Sequence, residues 1–262
     1  MTIHYHGTPI TPRTVIVQLA GRCFCVSFAR PDDVEWCHRF GQSVMLDNGA
    51  FTAWNKGGEP NWPAFYAWCE RWLEYRTTWA VIPDVIMGDA EANDELALQW
   101  PHGQRGAPVW HMHEPIDRLK RLCDEWERVC IGSSAQFRQV GSDIWHSRMT
   151  LAMNAICKTG RVPTWLHMLR GMNAARWGYP FASVDSTDIA RNHNRKSNPR
   201  DMAETWDAIQ CSPTWKRKYV QVDLLEEARR TLLQRNTAGS RLHWPQAWPR
   251  SHHRKETTWK AC

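Results

Sequence analysis

The sequence lacks any long apolar run, and its first residues carry no basic segment followed by an apolar stretch. No window approaches the roughly 18 uninterrupted apolar residues that a membrane span requires. The opening Met-Thr-Ile-His-Tyr-His has none of the features of a secretory signal. We therefore expect a soluble protein that works in the cytoplasm.

Closely spaced cysteine pairs are also scarce. The chain has nine cysteines, but Cys23-Phe-Cys25 is the one close pair, and no Cys-x-x-Cys occurs. A disulfide scaffold is not expected from an odd number of cysteines in a long chain without a secretory signal. A four-ligand zinc site would need a second nearby pair. We predict reduced cysteines and no structural metal.

Acidic residues are fewer than basic ones. The chain has 33 Lys and Arg against 27 Asp and Glu, for a net charge of +6. This balance suits a polyanionic partner such as nucleic acid, although it also serves solubility alone. The 17 tryptophans offer faces that stack on bases, or simply fill the core. Trp68 and Trp72 stand four apart in a helical pattern, which indicates core.

Short β-branched or aromatic runs alternate with longer helical stretches, a pattern typical of repeated βα units with a parallel sheet. The runs predict seven strands, at residues 24–29, 43–46, 79–83, 108–112, 128–131, 165–169 and 181–184. Apolar periodicity predicts helices most clearly at residues 61–75, 89–100, 115–126 and 142–158. We predict an α/β fold, a TIM-like (β/α)8 barrel that is irregular or incomplete.

The two ends of the chain are harder to assign. Residues 218–222 are a candidate eighth strand, although they run into a helical pattern. Residues 3–5 and 14–19 are predicted to form a short β hairpin or cap across one end of the barrel. The sequence suggests one barrel domain over residues 1–240. Residues 241–262 are basic and aromatic without periodicity, so they form either a nucleic-acid contact or a disordered tail.

Polar residues follow the predicted strands, at the barrel face where active sites lie. The candidates are Asp47, Gly49, Phe51, Asp84, His111, His113, Gly132, Arg170, Gly171 and Asp185. Most have an ordinary alternative. Asp47 begins an Asp-Asn-Gly turn sequence, and Asp84 and Asp185 each suit a helix cap. One of the two histidines is expected to be structural, and without a third ligand a metal role is disfavoured.

Three carboxylates at three strand ends of one barrel face favour function over capping. Clustered carboxylates raise one another's pKa and divide nucleophile and acid/base roles between them. Helix capping does not require this clustering. The residues alone therefore indicate glycosidic or carbonyl chemistry carried out by Asp47, Asp84 and Asp185, without a metal or a phosphate loop.

Several ordered segments between about residues 43 and 192 resemble those of the tRNA-guanine transglycosylases. The segments are Leu46-Asp47-Asn48-Gly49-Ala50-Phe51, Ile82-Pro83-Asp84, Cys130-Ile131-Gly132, His167-Met168-Leu169-Arg170-Gly171 and Ser183-Val184-Asp185-Ser186-Thr187. The likeness is greater to the branch, found in bacteria and phages, that inserts 7-deazaguanine bases such as preQ0 into DNA. For a phage protein the expected location is the host cytoplasm.

The resemblance implies a role for each carboxylate. Asp185 matches the nucleophile that forms a covalent ester with the sugar, so that two inversions give net retention. Asp47 matches the Asp of the family's Asp-Ser-Gly-Gly-Phe motif, which handles protons on the departing and arriving bases. Asp84 matches the Asp that accepts hydrogen bonds from the base edge. No redox or nucleotide cofactor is implied.

Further base and strand contacts follow from the same resemblance. Gly132 matches a backbone contact to the base carbonyl, and His111 or His113 lies near a Gln that supports the base pocket. Arg191 matches an Arg that contacts the nucleic-acid backbone. It belongs to a polar segment, Arg191-Asn192-His193-Asn194-Arg195-Lys196, in which Arg191, Asn192, Arg195 and Lys196 are either backbone contacts or a solvated loop.

The sequence also departs from the family. Asn48 and Ala50 replace a Ser and a Gly of the first motif, and the Cys-x-Cys-x-x-Cys and His zinc site of the tRNA enzymes is missing. We therefore expect DNA and a free 7-deazaguanine base as partners, with tRNA as the alternative. A base in a duplex must leave the stack, which leaves room for a helper protein that opens the strands. A catalytically silent nucleic-acid-binding barrel and a barrel hydrolase of small glycosides remain alternatives.

Overall fold

The computed structural model describes residues 1–195 and 198–220. Its strands in this part of the chain are β1 (Ile3–Gly7), β2 (Cys23–Ser27), β3 (Ser43–Asp47), β4 (Thr78–Val81), β5 (Gly106–Ala107), β6 (Val109–His111), β7 (Arg128–Gly132), β8 (Trp165–Met168) and β9 (Ser183–Ser186). They pair in the order β5-β4-β3-β2-β1-β9-β8-β7-β6, and the pairings between them are parallel.

This sheet is a nearly closed barrel with eight strand positions. Pro108 alone separates β5 from β6, and the two pair with opposite neighbours, β4 and β7. Proline has no backbone N–H to give to a strand ladder, which accounts for the break. The prediction of an α/β TIM-like barrel is confirmed, including its irregularity.

Helices surround the barrel and connect its strands. They are α1 (Thr14–Gln18), α2 (Val34–Phe40), α3 (Ala50–Lys56), α4 (Trp62–Trp72), α5 (Ala90–Leu98), α6 (Ile116–Glu125), α7 (Asp143–Ile156), α8 (Asp188–Asn192) and α9 (Pro199–Asp207). Short 3-10 helices lie at Pro31–Asp33, Gly103–Arg105, Ala135–Phe137 and Met172–Trp177. The four helices predicted from periodicity are confirmed, each beginning one residue and ending one to three residues inside its predicted bounds.

The prediction for the N-terminus is wrong. Residues 3–5 belong to β1, which is a full member of the barrel between β2 and β9, and residues 14–18 form α1 rather than a strand. Polar His4 and His6 alternate with apolar Ile3 and Tyr5 along β1, yet both histidines are buried. Of residues 218–222, those up to 220 are not in a strand, and the last two lie outside the described residues.

Among residues 1–195 and 198–220, three apolar clusters form the core. The barrel interior holds one cluster, which includes Tyr5, Met45, Trp79, Val109 and Cys130. The other two lie between the strands and the helices. Trp72 is buried as predicted, and Trp68 is partly buried against the same cluster. Packing on both faces of the strands holds the strand ends in place, so that the loops that follow them converge on one mouth.

Candidate active site

A cavity of about 1080 Å³ opens at the carboxyl ends of the strands. Nine of the residues singled out from the sequence contribute to its wall, and they come from widely separated parts of the chain. They are Asp47, Phe51, Asp84, His111, Gly132, Arg170, Asp185, Arg191 and Asn192. The three strand-end carboxylates therefore face a common space.

Asp84 is buried and its two oxygens accept hydrogen bonds from different neighbours. Asn48 Nδ2 donates to Oδ1 over 2.7 Å, and His111 Nε2 donates to Oδ2 over 2.8 Å. The following helix, α5, is capped instead by Asp89, whose side chain accepts from Ala92 N at 2.9 Å. Capping therefore does not explain Asp84, and the two donors fix the plane of its carboxylate.

His111 is held against Asp84 by one ring nitrogen, while the other has no partner among the described residues. Its Nδ1 is buried, and a Cβ built on Gly132 would lie only 2.8 Å from it. A carboxylate accepts and does not donate, so the Nε2 proton points to Asp84, and a neutral ring presents a lone pair at Nδ1. Gly132 therefore packs so closely against the His111 ring that a side chain at this position would have to displace it.

Asp185 lies on β9 and is buried, with its Oδ1 atom anchored. Arg170 donates its backbone N–H to Oδ1 over 2.6 Å, and His167 Nε2 donates to the same atom over 3.2 Å. Arg170 adopts a φ of +53°, an uncommon conformation for a residue with a side chain. The strained backbone aims its N–H at the carboxylate. The helix α8 does not use Asp185 as a cap.

Asp47 ends β3. Gly49 donates its backbone N–H to Oδ2 over 3.2 Å, so the Asp-Asn-Gly turn expected from the sequence is part of the site. Burial raises the pKa of Asp47 to about 6, and the charges of Asp185 and Asp84 add to the rise. A carboxyl with this pKa exchanges a proton readily near neutral pH.

Basic side chains surround the acidic floor of the cavity. Arg30, Lys56, Arg170 and Arg191 contribute to its wall. The Arg170 guanidinium carbon lies 3.9 Å from the centre of the Phe51 ring, a cation–π contact across the mouth. Burial lowers the pKa of Arg170, and the three carboxylates oppose that effect. The cavity thus combines a negative floor with a positive rim.

Other predicted site residues lie away from the cavity wall. His113 donates from Nε2 to the Gly88 carbonyl at 2.9 Å, and its Nδ1 accepts from the Ser134 hydroxyl at 2.7 Å, so both nitrogens have structural partners. Gly171 packs so tightly that an added Cβ would lie 2.1 Å from Met168 Cγ. Gly171 therefore allows close packing against Met168.

Two further predicted residues, Gly49 and Arg195, do not line the cavity. Lys196 lies outside the described residues. Gly49 contacts Asp47 through its backbone N–H. Its φ of +78° is the left-handed conformation that permits the turn. Arg195 is exposed and does not line the cavity. The predicted tail, residues 241–262, is likewise beyond the described part of the chain.

Comparison with known proteins adds no relative. No protein-family model, curated protein or solved structure matches the chain. The likeness to the transglycosylases therefore rests on the sequence segments that suggested it.

The described ranges, 1–195 and 198–220, contain no group of three or more His, Cys, Asp or Glu side chains arranged to hold a metal ion. No helix within them has the length and apolar character that crossing a membrane requires.

Two residues of the site were not singled out from the sequence. His167 contacts Asp185, and Asn48 connects the first motif to the third predicted strand by donating from Nδ2 to the Ile82 carbonyl at 2.8 Å. A histidine within an otherwise apolar inward-facing row of β8 was a signal available in the sequence. Asn48 had none, because Asn in a turn usually bonds its own backbone.

Proposed function

We propose that the protein is a transglycosylase that exchanges guanine in DNA for a 7-deazaguanine base through a covalent Asp185–sugar ester. The observation that carries the proposal is the placement of three strand-end carboxylates in one cavity, each with a different set of partners. Base exchange with retention requires three different tasks, namely attack on the sugar, recognition of the base and transfer of protons.

Asp185 suits the attack on the sugar. Its Oδ1 atom accepts two hydrogen bonds, which hold the group in place. In the first half-reaction a carboxylate oxygen bonds to the anomeric carbon as the bond from that carbon to the guanine nitrogen breaks, and the electron pair leaves with guanine. In the second half-reaction the incoming base displaces the carboxylate.

Asp84, His111 and Gly132 suit recognition of the base. Asn48 and His111 fix the orientation of the Asp84 carboxylate. A carboxylate with a fixed orientation can accept hydrogen bonds from two neighbouring N–H donors on the edge of a guanine-like base. Gly132 lines the same cavity, and its lack of a side chain lets the His111 ring pack against its backbone.

Replacing Gly132 with Ala should raise the KM for the incoming base by roughly tenfold or more, because the new methyl group would displace the His111 ring that orients Asp84. The measurement is the base-concentration dependence of exchange at saturating DNA. Gly58→Ala is the matched control, since a Cβ there would meet only Ala53 O at 4.0 Å. An unchanged KM in a folded Gly132→Ala protein would place the base elsewhere.

Asp47 suits the transfer of protons. The departing guanine must gain a proton and the arriving base must lose one, so the same group serves first as acid and then as base. A pKa raised to about 6 by burial makes both forms accessible near neutral pH.

The basic rim and the net charge of +6 suit a polynucleotide substrate. DNA is favoured over tRNA because the sequence has no counterpart of the zinc motif found in the tRNA enzymes. A target base would enter the cavity after leaving its stack.

Labelled 7-deazaguanine bases test the proposal directly. The protein, incubated with a radiolabelled base such as preQ0 and either single-stranded or duplex DNA, should place label in the polymer and release guanine. Parallel reactions with tRNA, and with small glycosides, separate the alternative substrates. Label in tRNA alone would reject the DNA assignment, and no label in any polymer, with several bases and DNAs, would reject the transglycosylase.

A further inference from the structure

A buried chain of hydrogen bonds lies beneath Asp185 and ends on its carboxylate. His167 is fully buried in the barrel interior, with its ring edge-on to Tyr5 and Trp79 at centroid distances of 5.9 and 5.3 Å. A polar ring in such surroundings is costly unless its nitrogens have partners. Both do, because Nδ1 lies 2.8 Å from Ser183 Oγ and Nε2 lies 3.2 Å from Asp185 Oδ1.

The two ends of this chain, an indole N–H and a carboxylate, set the direction of each bond. Trp165 Nε1 lies 2.8 Å from Ser183 Oγ, and an indole nitrogen only donates. The Asp185 carboxylate only accepts, so a neutral His167 has its ring proton on Nε2 and presents a lone pair at Nδ1. Ser183 accepts from Trp165 and gives its single hydroxyl proton to that lone pair. The opposite tautomer would set a lone pair against the carboxylate.

The two bonds to Asp185 also distinguish its oxygens. Within the described residues, His167 Nε2 and the backbone N–H of Arg170 both donate to Oδ1. Asp185 is itself part of the cavity wall. With Oδ1 occupied, Oδ2 is the oxygen left to bond to a sugar carbon.

We infer that His167 is the positioning residue for Asp185, kept in the Nε2–H form by Trp165 and Ser183, and that Oδ2 is the attacking oxygen. This inference rests on the proposed function for the attack itself. His167 keeps its proton throughout, since the electron pair of the breaking glycosidic bond leaves with the base and the proton that the base needs comes from Asp47. Its contribution is orientation of the nucleophile, an effect in which a displacement of about 1 Å costs on the order of 100-fold in rate.

Two substitutions separate orientation from packing. His167→Leu fills a similar volume without a donor, and His167→Gln keeps an amide N–H that reaches towards Oδ1. The rate of covalent adduct formation in a single turnover should fall about 100-fold in His167→Leu and recover to within about tenfold of wild type in His167→Gln, with the KM for DNA unchanged in both. A merely structural role would instead lower the thermal stability of both proteins without this contrast.

Nitrogen NMR of protein labelled with ¹⁵N-histidine tests the arrangement without any substrate. The His167 signals, assigned by their loss in His167→Gln, should show a protonated Nε2 and an unprotonated Nδ1 at neutral pH, and Ser183→Ala should shift the Nδ1 signal. A protonated Nδ1 would overturn the inference. So would a folded His167→Leu protein that forms the adduct at the wild-type rate.

Failure of the proposed function would look different from failure of the inference. A wild-type protein that transfers no base to any polymer removes the attack on sugar, and with it the role of Oδ2. An active wild-type protein with an equally active His167→Leu variant removes only the role of His167.

Discussion

Replacing Asp185 with Ala or Asn is expected to lower base exchange by roughly four orders of magnitude or more, as loss of a nucleophile does in other enzymes with covalent intermediates. Neither side chain can form an ester with the sugar. Asp185→Asn keeps a carbonyl oxygen that accepts from the Arg170 backbone N–H and from His167, so the site should keep its shape and its affinity for DNA. The Asp185→Asn protein should therefore bind DNA without carrying out base exchange.

The measurement is trapping of the protein–DNA ester in the absence of an acceptor base, followed by denaturing electrophoresis. Wild type should give a covalent band, and both Asp185 variants should give none. Asp117→Asn is a suitable control, because Asp117 is an exposed carboxylate on α6 that pairs with Lys120. Normal exchange by Asp185→Ala would place the nucleophile elsewhere. Unchanged affinity together with no activity in any protein, wild type included, would favour the silent nucleic-acid-binding barrel.

Most of the barrel was predictable because its strands obey simple patterns. Segments such as Ser43–Asp47 and Arg128–Gly132 have three consecutive apolar residues at their centre, which are buried. β1 was not predictable in this way. His4 and His6 face the helix layer, where burial lowers the pKa of His4 to about 4 and that of His6 to about 3, so both are neutral and count as core. Composition alone does not show that a histidine will be buried uncharged.

The candidate site was predictable as a set of strand ends but not as a hydrogen-bond network. Asp47, Asp84 and Asp185 could be placed at one mouth because parallel strands present their carboxyl ends together. The partners of these residues come from distant parts of the chain, as with His167 and Asp185 on neighbouring strands. The choice between His111 and His113 likewise depended on the loop after β6, which turns His113 towards Gly88.

Replacing Asp47 with Asn should lower exchange by about 100-fold to 10,000-fold, the range expected for loss of a general acid–base group. Wild type should show a bell-shaped pH profile with its maximum near the Asp47 pKa of about 6, because one half-reaction needs the protonated form and the other the ionised form. The variant has no such group, so this dependence should disappear. A variant profile with the same maximum as wild type would assign the proton transfer to another residue.

The same substitution should make the protein more stable, and the sign follows from the direction of the pKa shift. Burial raises the pKa of Asp47 from 3.8 to about 6, so the folded state binds the proton more tightly and loses stability as pH rises through this interval. Below pH 3.8 both states hold the proton, and the Asn variant should match wild type. Above pH 6 it should be more stable by on the order of 1 kcal/mol, a figure reduced for the partial solvent access of the cavity.

Thermal unfolding of both proteins between pH 4 and pH 8 measures this difference, with Glu35→Gln on α2 as the control because Glu35 is exposed. The control should track wild type at every pH, whereas the Asp47→Asn curve should separate from it as pH rises towards 6. A constant gap, or a gap of the opposite sign, would contradict the raised pKa. If Asp47 is kept in its buried position near two other carboxylates for proton transfer rather than for folding, the Asp47→Asn protein should lose activity and gain stability.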